Sequence, residues 1–204
     1  IVETVASGLA TFDFDGDGKT DLLFLNGAPL PGSNPKGPPP VNALYRNEGN
    51  WKFKDVTQSA GLMDSAYHLG VCVGDYDGDG DLDLYLNNFG PNILYRNNGN
   101  ATFTEVSASQ GVDDGGASFQ CLLQDLDRDG DCDLYCSNDK GLPGIAWNRL
   151  FRNHRGLFTE DIDSGACIPI DSMGVCTGDL DMNGHVDIYC TNIASGHALL
   201  ATDD

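Results

Sequence analysis

The feature that most constrains this chain is a nine-residue acidic segment that recurs four times. It runs Asp13-Phe14-Asp15-Gly16-Asp17-Gly18-Lys19-Thr20-Asp21, then Asp75 to Asp83, Asp125 to Asp133, and Asp179-Leu180-Asp181-Met182-Asn183-Gly184-His185-Val186-Asp187. Repetition at a period of roughly 50 residues means an array of like units, each covering its apolar face by packing on its neighbours. Each copy runs into a short apolar stretch: Leu22 to Leu25, Leu84 to Leu86, Leu134 to Cys136 and Ile188 to Cys190. Beyond a polar loop comes a second strand signal, Ala43 to Asn47, Ile93 to Asn97 and Arg149 to Asn153, with Leu199-Leu200 as a shortened echo. A third follows a glycine-bearing turn at Phe53 to Val56, Phe103 to Val106 and Phe158 to Ile162, where apolar and polar residues alternate as in a half-buried strand. Apolar segments ahead of the acidic loops, such as Gly70 to Gly74 and Gly174 to Gly178, supply one more strand per unit.

Four short strands in about 50 residues make one blade of a propeller, a fold that protects sheet edges by radial repetition. The expected fold is all-β: a β-propeller of four four-stranded blades, as a four-bladed ring or as part of a larger propeller. One domain spans residues 1–204, with repeats at about 7–62, 63–112, 113–166 and 167–204 plus 1–6. The last repeat lacks a fourth strand of its own. Ile1-Val2-Glu3-Thr4-Val5, which resembles Phe103-Thr104-Glu105-Val106, is expected to complete it as the outer strand. The 26 glycines and 9 prolines agree with many tight turns. No run approaches the roughly 20 apolar residues of a membrane-spanning helix, so no membrane insertion is expected.

Alternating carboxylates in a tight turn are suited to calcium, which takes 6–8 oxygen ligands. In the first loop Asp13, Asp15, Asp17 and Asp21 offer side-chain oxygens and Lys19 a carbonyl; the second and third repeat this with Asp75, Asp77, Asp79, Asp83 and the Asp81 carbonyl, and with Asp125, Asp127, Asp129, Asp133 and the Asp131 carbonyl. The fourth uses Asp179, Asp181, Asn183 and Asp187, with His185 at the carbonyl position, and so carries one charge less. Three to four calcium ions are expected. An EF-hand would place Glu at the twelfth position, where this chain has Phe24, Leu86, Cys136 and Cys190, so the loops belong to β-hairpins and not to helix-loop-helix units.

The proposed ligands account for fifteen of the 31 acidic residues, which outnumber 11 basic ones and give a net charge of -20. Such a charge repels nucleic acid and anionic membranes alike. The histidines, His68, His154, His185 and His197, are scattered, and neither a Gly-x-Ser-x-Gly elbow nor a phosphate loop occurs, so no enzyme is expected.

The acidic segment followed by an apolar strand, Asn-Phe-Gly-Pro-Asn at Asn88 to Asn92, and Leu-Tyr-Arg-Asn-x-Gly-(Asn)-x-x-Phe resemble FG-GAP repeats of the VCBS type. The pattern is most similar to the repeat region of the cartilage acidic protein family and more distantly to integrin α-subunit propellers. The resemblance implies a calcium-binding propeller in secreted or cell-surface proteins, used for adhesion and recognition. Propellers of this kind commonly have about seven blades, against four repeats here.

The remaining signals concern the surface and the compartment. The 7 cysteines lack CxxC spacing and favour disulfides in an oxidising compartment over zinc. Cys176 and Cys190 are expected to face one another across the fourth hairpin; Cys121 and Cys136 are a second candidate pair, with Leu122 expected directly opposite Cys136. Asn100-Ala101-Thr102 is a glycosylation sequon. The chain opens at Ile1 without a methionine, and reads as a processed or excised portion of an extracellular product. Partner contacts are expected in the irregular loops, at Leu30, Asn34, Lys36, Leu142 and Trp147. The main expectation is a non-enzymatic module for a protein or glycan partner outside the cell. Alternatives are a subunit that self-assembles by strand exchange and a glycan-binding or glycan-cleaving propeller.

Overall fold

A computed structural model of the chain describes residues 8–27, 37–139, 147–193, 196 and 198–200. Among these it has fifteen strands in four antiparallel sheets, each a simple meander. The first contains β1 (Leu9–Phe12), β2 (Asp21–Phe24), β3 (Ala43–Gly49) and β4 (Lys52–Asp55). The second contains β5 (His68–Gly74), β6 (Asp83–Asn88), β7 (Ile93–Asn97) and β8 (Phe103–Glu105), and the third β9 (Ala117–Gln124), β10 (Asp133–Asp139), β11 (Arg149–His154) and β12 (Leu157–Glu160). The fourth sheet comprises β13 (Val175–Gly178), β14 (Asp187–Cys190) and β15 (Ala198–Leu200) among the described residues. Two single-turn helices, α1 (Thr57–Ala60) and α2 (Ser107–Gln110), follow β4 and β8, an element the strand pattern did not announce.

The sheets stack in a row so that each covers an apolar face on its neighbour, the second and third on both sides. One core cluster joins the first and second sheets through Phe12, Leu23, Leu44, Leu84 and Leu86. The next joins the second and third through Tyr85, Leu94, Leu134 and Phe151, and the last joins the third and fourth through Tyr135, Leu150, Val175 and Ile188. Every residue of β6 is consequently buried, whereas β2 alternates and β4 is exposed along its length. The first strands of successive sheets are neighbours, β1 with β5, β5 with β9 and β9 with β13. A Cβ at Gly70 would lie 3.0 Å from Asn87 Nδ2 and 3.2 Å from the Phe119 carbonyl, so glycine sets the spacing there.

Polar side chains fix one sheet to the next. The Asn97 amide donates to the Phe14 carbonyl at 2.9 Å, and the Asn153 amide to the Tyr76 carbonyl at 2.6 Å. In the second and third sheets an aromatic residue at the start of the fourth strand packs on the acidic loop of the preceding sheet: Phe103 stacks on Phe14 with ring centroids 6.3 Å apart, and Phe158 on Tyr76 at 5.6 Å. The equivalent of Phe14 and Tyr76 in the third loop is Leu126. It lies at an open cleft of about 320 Å³ with Leu150, Ala166, Ile188, Leu199 and Leu200. Ile1 to Val5, expected to complete the fourth sheet, lies outside the described residues.

The cysteine expectations need correction. Val175 pairs with Cys190 and Cys176 with Tyr189, one residue away from the register expected. Because side chains alternate faces, that slip sends the two sulfurs to opposite sides of the sheet, Cys176 exposed and Cys190 buried. The same slip brings Cys121, not Leu122, directly opposite Cys136. Both are buried, and all seven cysteines are free thiols.

Replacing Asn153 with alanine orphans the Tyr76 and Cys132 carbonyls at a sheet-to-sheet junction, and should destabilise the fold by about 1–3 kcal/mol. Asn47→Ala, whose amide bonds Thr20 of its own sheet, should cost less. Urea unfolding of both variants checks this; equal losses would contradict the assigned role.

Candidate metal centres

Each acidic loop joins the first and second strands of its sheet, as between Phe12 and Asp21 or Gly178 and Asp187. The first aspartate folds the loop by accepting main-chain N–H groups. Asp13 takes those of Asp17 and Gly18 at 3.1 and 2.8 Å, and Asp75 those of Gly78, Asp79 and Gly80 at 2.8 to 3.2 Å. Asp125 and Asp179 likewise accept from Gly130 and Gly184. Two left-handed residues make this reversal. Gly18, Gly80, Gly130 and Gly184 hold the second position, but the first is Gly16, Gly78, Arg128 (φ 67) and Met182 (φ 61). The third and fourth loops therefore carry backbone strain that the first two do not, of order 1 kcal/mol each.

The last aspartate of each loop does a different job from the others. Asp21, Asp83, Asp133 and Asp187 are buried. One oxygen of each accepts the N–H of the second loop residue, from Phe14 at 3.1 Å, Tyr76 at 3.0 Å, Leu126 at 3.2 Å and Leu180 at 2.8 Å. In the first three, the other oxygen accepts the N–H of an asparagine of the third strand, Asn47, Asn97 or Asn153, at 2.7 to 2.9 Å. This residue buckles the loop to its own sheet. Its role was hidden in the sequence, where it looks like one more ligand.

The structure brings together side-chain oxygens of Asp13, Asp15 and Asp17; of Asp75, Asp77 and Asp83; of Asp125, Asp127 and Asp129; and of Asp179, Asp181 and Asp187, each set within 4.8 Å. Asp79 accepts the N–H of Asp81, and Asn183 that of His185, so both shape their loops from inside. One group was not anticipated. Asp129, Asp131 and His154 also converge, the last from the β11–β12 hairpin and too distant in sequence for any spacing rule.

The four within-loop donor sets suit calcium. They are oxygen-only, unlike the group with His154, and Asp77 Oδ1 is buried without a hydrogen-bond partner, an acceptor still to be satisfied. Burial pushes the Asp21, Asp77 and Asp133 carboxyls above the ordinary carboxylate range, and Asp83 up to about 7. Asp17 is held below it by the Lys19 ammonium 2.6 Å away. In the third loop a fixed cation intervenes: Arg152 Nη1 lies 2.7 Å from Asp133 and 3.7 Å from Asp127. That guanidinium offsets part of the crowding, which in the second loop Arg96 relieves only at longer range.

Residues 13–86, 75–136 and 125–190 match the FG-GAP-like repeat, in three overlapping spans. The chain belongs to the FG-GAP-like repeat family. Each matched span opens on one acidic loop and closes in or just after the strand that follows the next, so the FG-GAP-like unit links a loop to its neighbour. No curated protein matches the chain. Among solved structures, one described as the basis of specific recognition of non-reducing terminal N-acetylglucosamine by an Agrocybe aegerita lectin shares 18% identity, with a TM-score of 0.49, over 92% of this chain and 47% of that one. The FG-GAP-like chain thus spans about half the length of that structure.

Of the other expected site residues, Trp147 is half-exposed, and its carbonyl accepts the Asn138 amide at 2.9 Å. Leu30, Asn34, Lys36 and Leu142 lie outside the described residues. Asn100 is exposed at the β7–β8 turn, where the Thr102 hydroxyl donates to its side-chain oxygen at 2.5 Å.

Two roles for aspartate predict two phenotypes. With chelator present, Asp83→Ala should destabilise the fold by about 2–4 kcal/mol by orphaning the buried N–H groups of Tyr76 and Asn97, whereas Asp79→Ala, in an exposed turn, should change it by less than about 0.5 kcal/mol. Thermal melts without metal read the difference, and similar losses would refute it.

Proposed function

We propose that the FG-GAP-like repeats of this chain form a calcium-stabilised β-propeller acting as a non-enzymatic recognition module outside the cell. The observation that carries the metal assignment is the second loop: Asp75, Asp77 and Asp83 converge, with a buried orphan oxygen on Asp77 and, among the described residues, no ion pair to them like that of Arg152 in the third. Calcium bound at Asp13–Asp15–Asp17 and the corresponding positions would supply the positive charge that lets these carboxylates stay crowded. Loops wrapped this closely by one chain's own oxygens favour a structural ion over a catalytic one. The motif likeness to the cartilage acidic protein repeats points the same way, as does the net charge of -20.

A four-bladed ring is the favoured architecture. Neighbouring first strands and face-to-face sheets support it, and the cleft beside Leu126 is where the fourth strand of the last blade belongs. We assign that place to Ile1–Val5 of the same chain, since pairing within one molecule has a high effective concentration. The same edge filled from another copy would give a filament.

Chelation should lower the melting temperature substantially, since metal that binds only the folded chain contributes about 2.7 kcal/mol per site at a hundredfold excess over Kd. Asp77→Ala should then lower it more than Asn183→Ala. An unchanged melt on chelation would end the structural-calcium reading.

Deleting residues 1–6 tests closure. A destabilised monomer is expected; loss of polymers would point to strand exchange instead, and no effect on either would remove the segment from the fold.

A further inference from the structure

The β3–β4 hairpin turns through two residues, Asn50 and Trp51, both left-handed with φ of 51 and 59°. A two-residue turn of this hand favours Asn-Gly, and the equivalent β11–β12 turn follows that preference with Arg155-Gly156. Trp51 thus stands where the backbone asks for glycine. It also covers nothing, being 94% exposed. Neither the turn nor the core accounts for a tryptophan here, and strain kept at an exposed aromatic is a mark of function.

Trp51 borders a cleft of about 510 Å³ between this hairpin and the first acidic loop, lined by Lys19, Asn47, Gly49, Asn50, Trp51 and Phe53. Phe53 is partly exposed and adds a second ring. The floor is rigid: the Asn47 amide donates to Thr20 at 2.9 Å and its oxygen accepts the Gly49 N–H at 2.9 Å. The far wall carries an ion pair, Lys19 to Asp17 at 2.6 Å, so the cleft offers donors and acceptors with little net charge of its own.

We propose that this cleft binds a neutral sugar ring. A pyranose has one C–H face to lie on the indole and hydroxyls around its rim for the Asn50 amide and the Lys19 ammonium. Anionic lipid and nucleic acid are repelled by the net charge of -20. An apolar peptide would strip water from the ion pair and the amide without replacing their hydrogen bonds. The proposal deepens the recognition reading above, but its test reads the hairpin itself and does not depend on the effect of chelation on stability.

The test uses the whole chain in calcium buffer with Trp147→Phe, which leaves Trp51 as the single indole. Cellotetraose, xylotetraose, mannotetraose and chitotetraose are titrated while the indole N–H resonance is followed. A saturable shift with at least one of them is expected; for Trp51→Ala and Trp51→Gly, which remove the indole, binding of that sugar is read by titration calorimetry, and its heat is expected to vanish. Trp51→Gly should also raise the melting temperature, because the turn regains its preferred residue. No shift with any of the four would overturn the proposal, and so would a fall in melting temperature with glycine, which would make Trp51 structural. A resonance that moves only as protein concentration rises would make it a self-association contact and overturn the proposal equally.

Discussion

A buried aspartate with two main-chain partners holds each of the first three units of this fold in shape. Asp83 ties the Tyr76 N–H, inside the acidic loop, to the Asn97 N–H at the end of the third strand. The side chain of that same asparagine then reaches back to Phe14 in the preceding sheet. One carboxylate thus links loop to sheet, and through its neighbour sheet to sheet. A charge so deeply placed is favourable only when its lone pairs are met, which explains why strand, turn and asparagine recur together.

Much of this was legible in the sequence because its signals are local. The aspartate spacing, the apolar stretches after it and the Leu-Tyr-Arg-Asn strand each report the conformation of the residues they contain, and all four sheets appear where those signals lie. What depends on partners remote in sequence was not legible. Asp83 and Asp79 look alike in the chain and differ only in what surrounds them. His154 joins Asp129 and Asp131 across a hairpin, and the Asn97 link to Phe14 crosses two sheets.

The cysteines show how sharp that limit is. Placing Cys176 opposite Cys190 was wrong by one residue, yet in a structure with period two one residue exchanges inside for outside. The helical turns α1 and α2 escaped notice for another reason. Four residues such as Thr57-Gln58-Ser59-Ala60 carry too few turns for any periodicity to show, and tertiary packing of Ala60 sets their shape.

The unequal backbone of the four loops has a consequence for behaviour. Glycine holds both left-handed positions in the first two loops, whereas Arg128 and Met182 hold the first of them in the third and fourth at a cost to the backbone. Arg152 adds a resident competitor to the third. On the calcium reading, such an array does not saturate at a single ion concentration. Its loops differ in ligand charge and in resident cation, Lys19 in the first and Arg152 in the third, so the chain stiffens progressively over a broad concentration range where four identical loops would switch together.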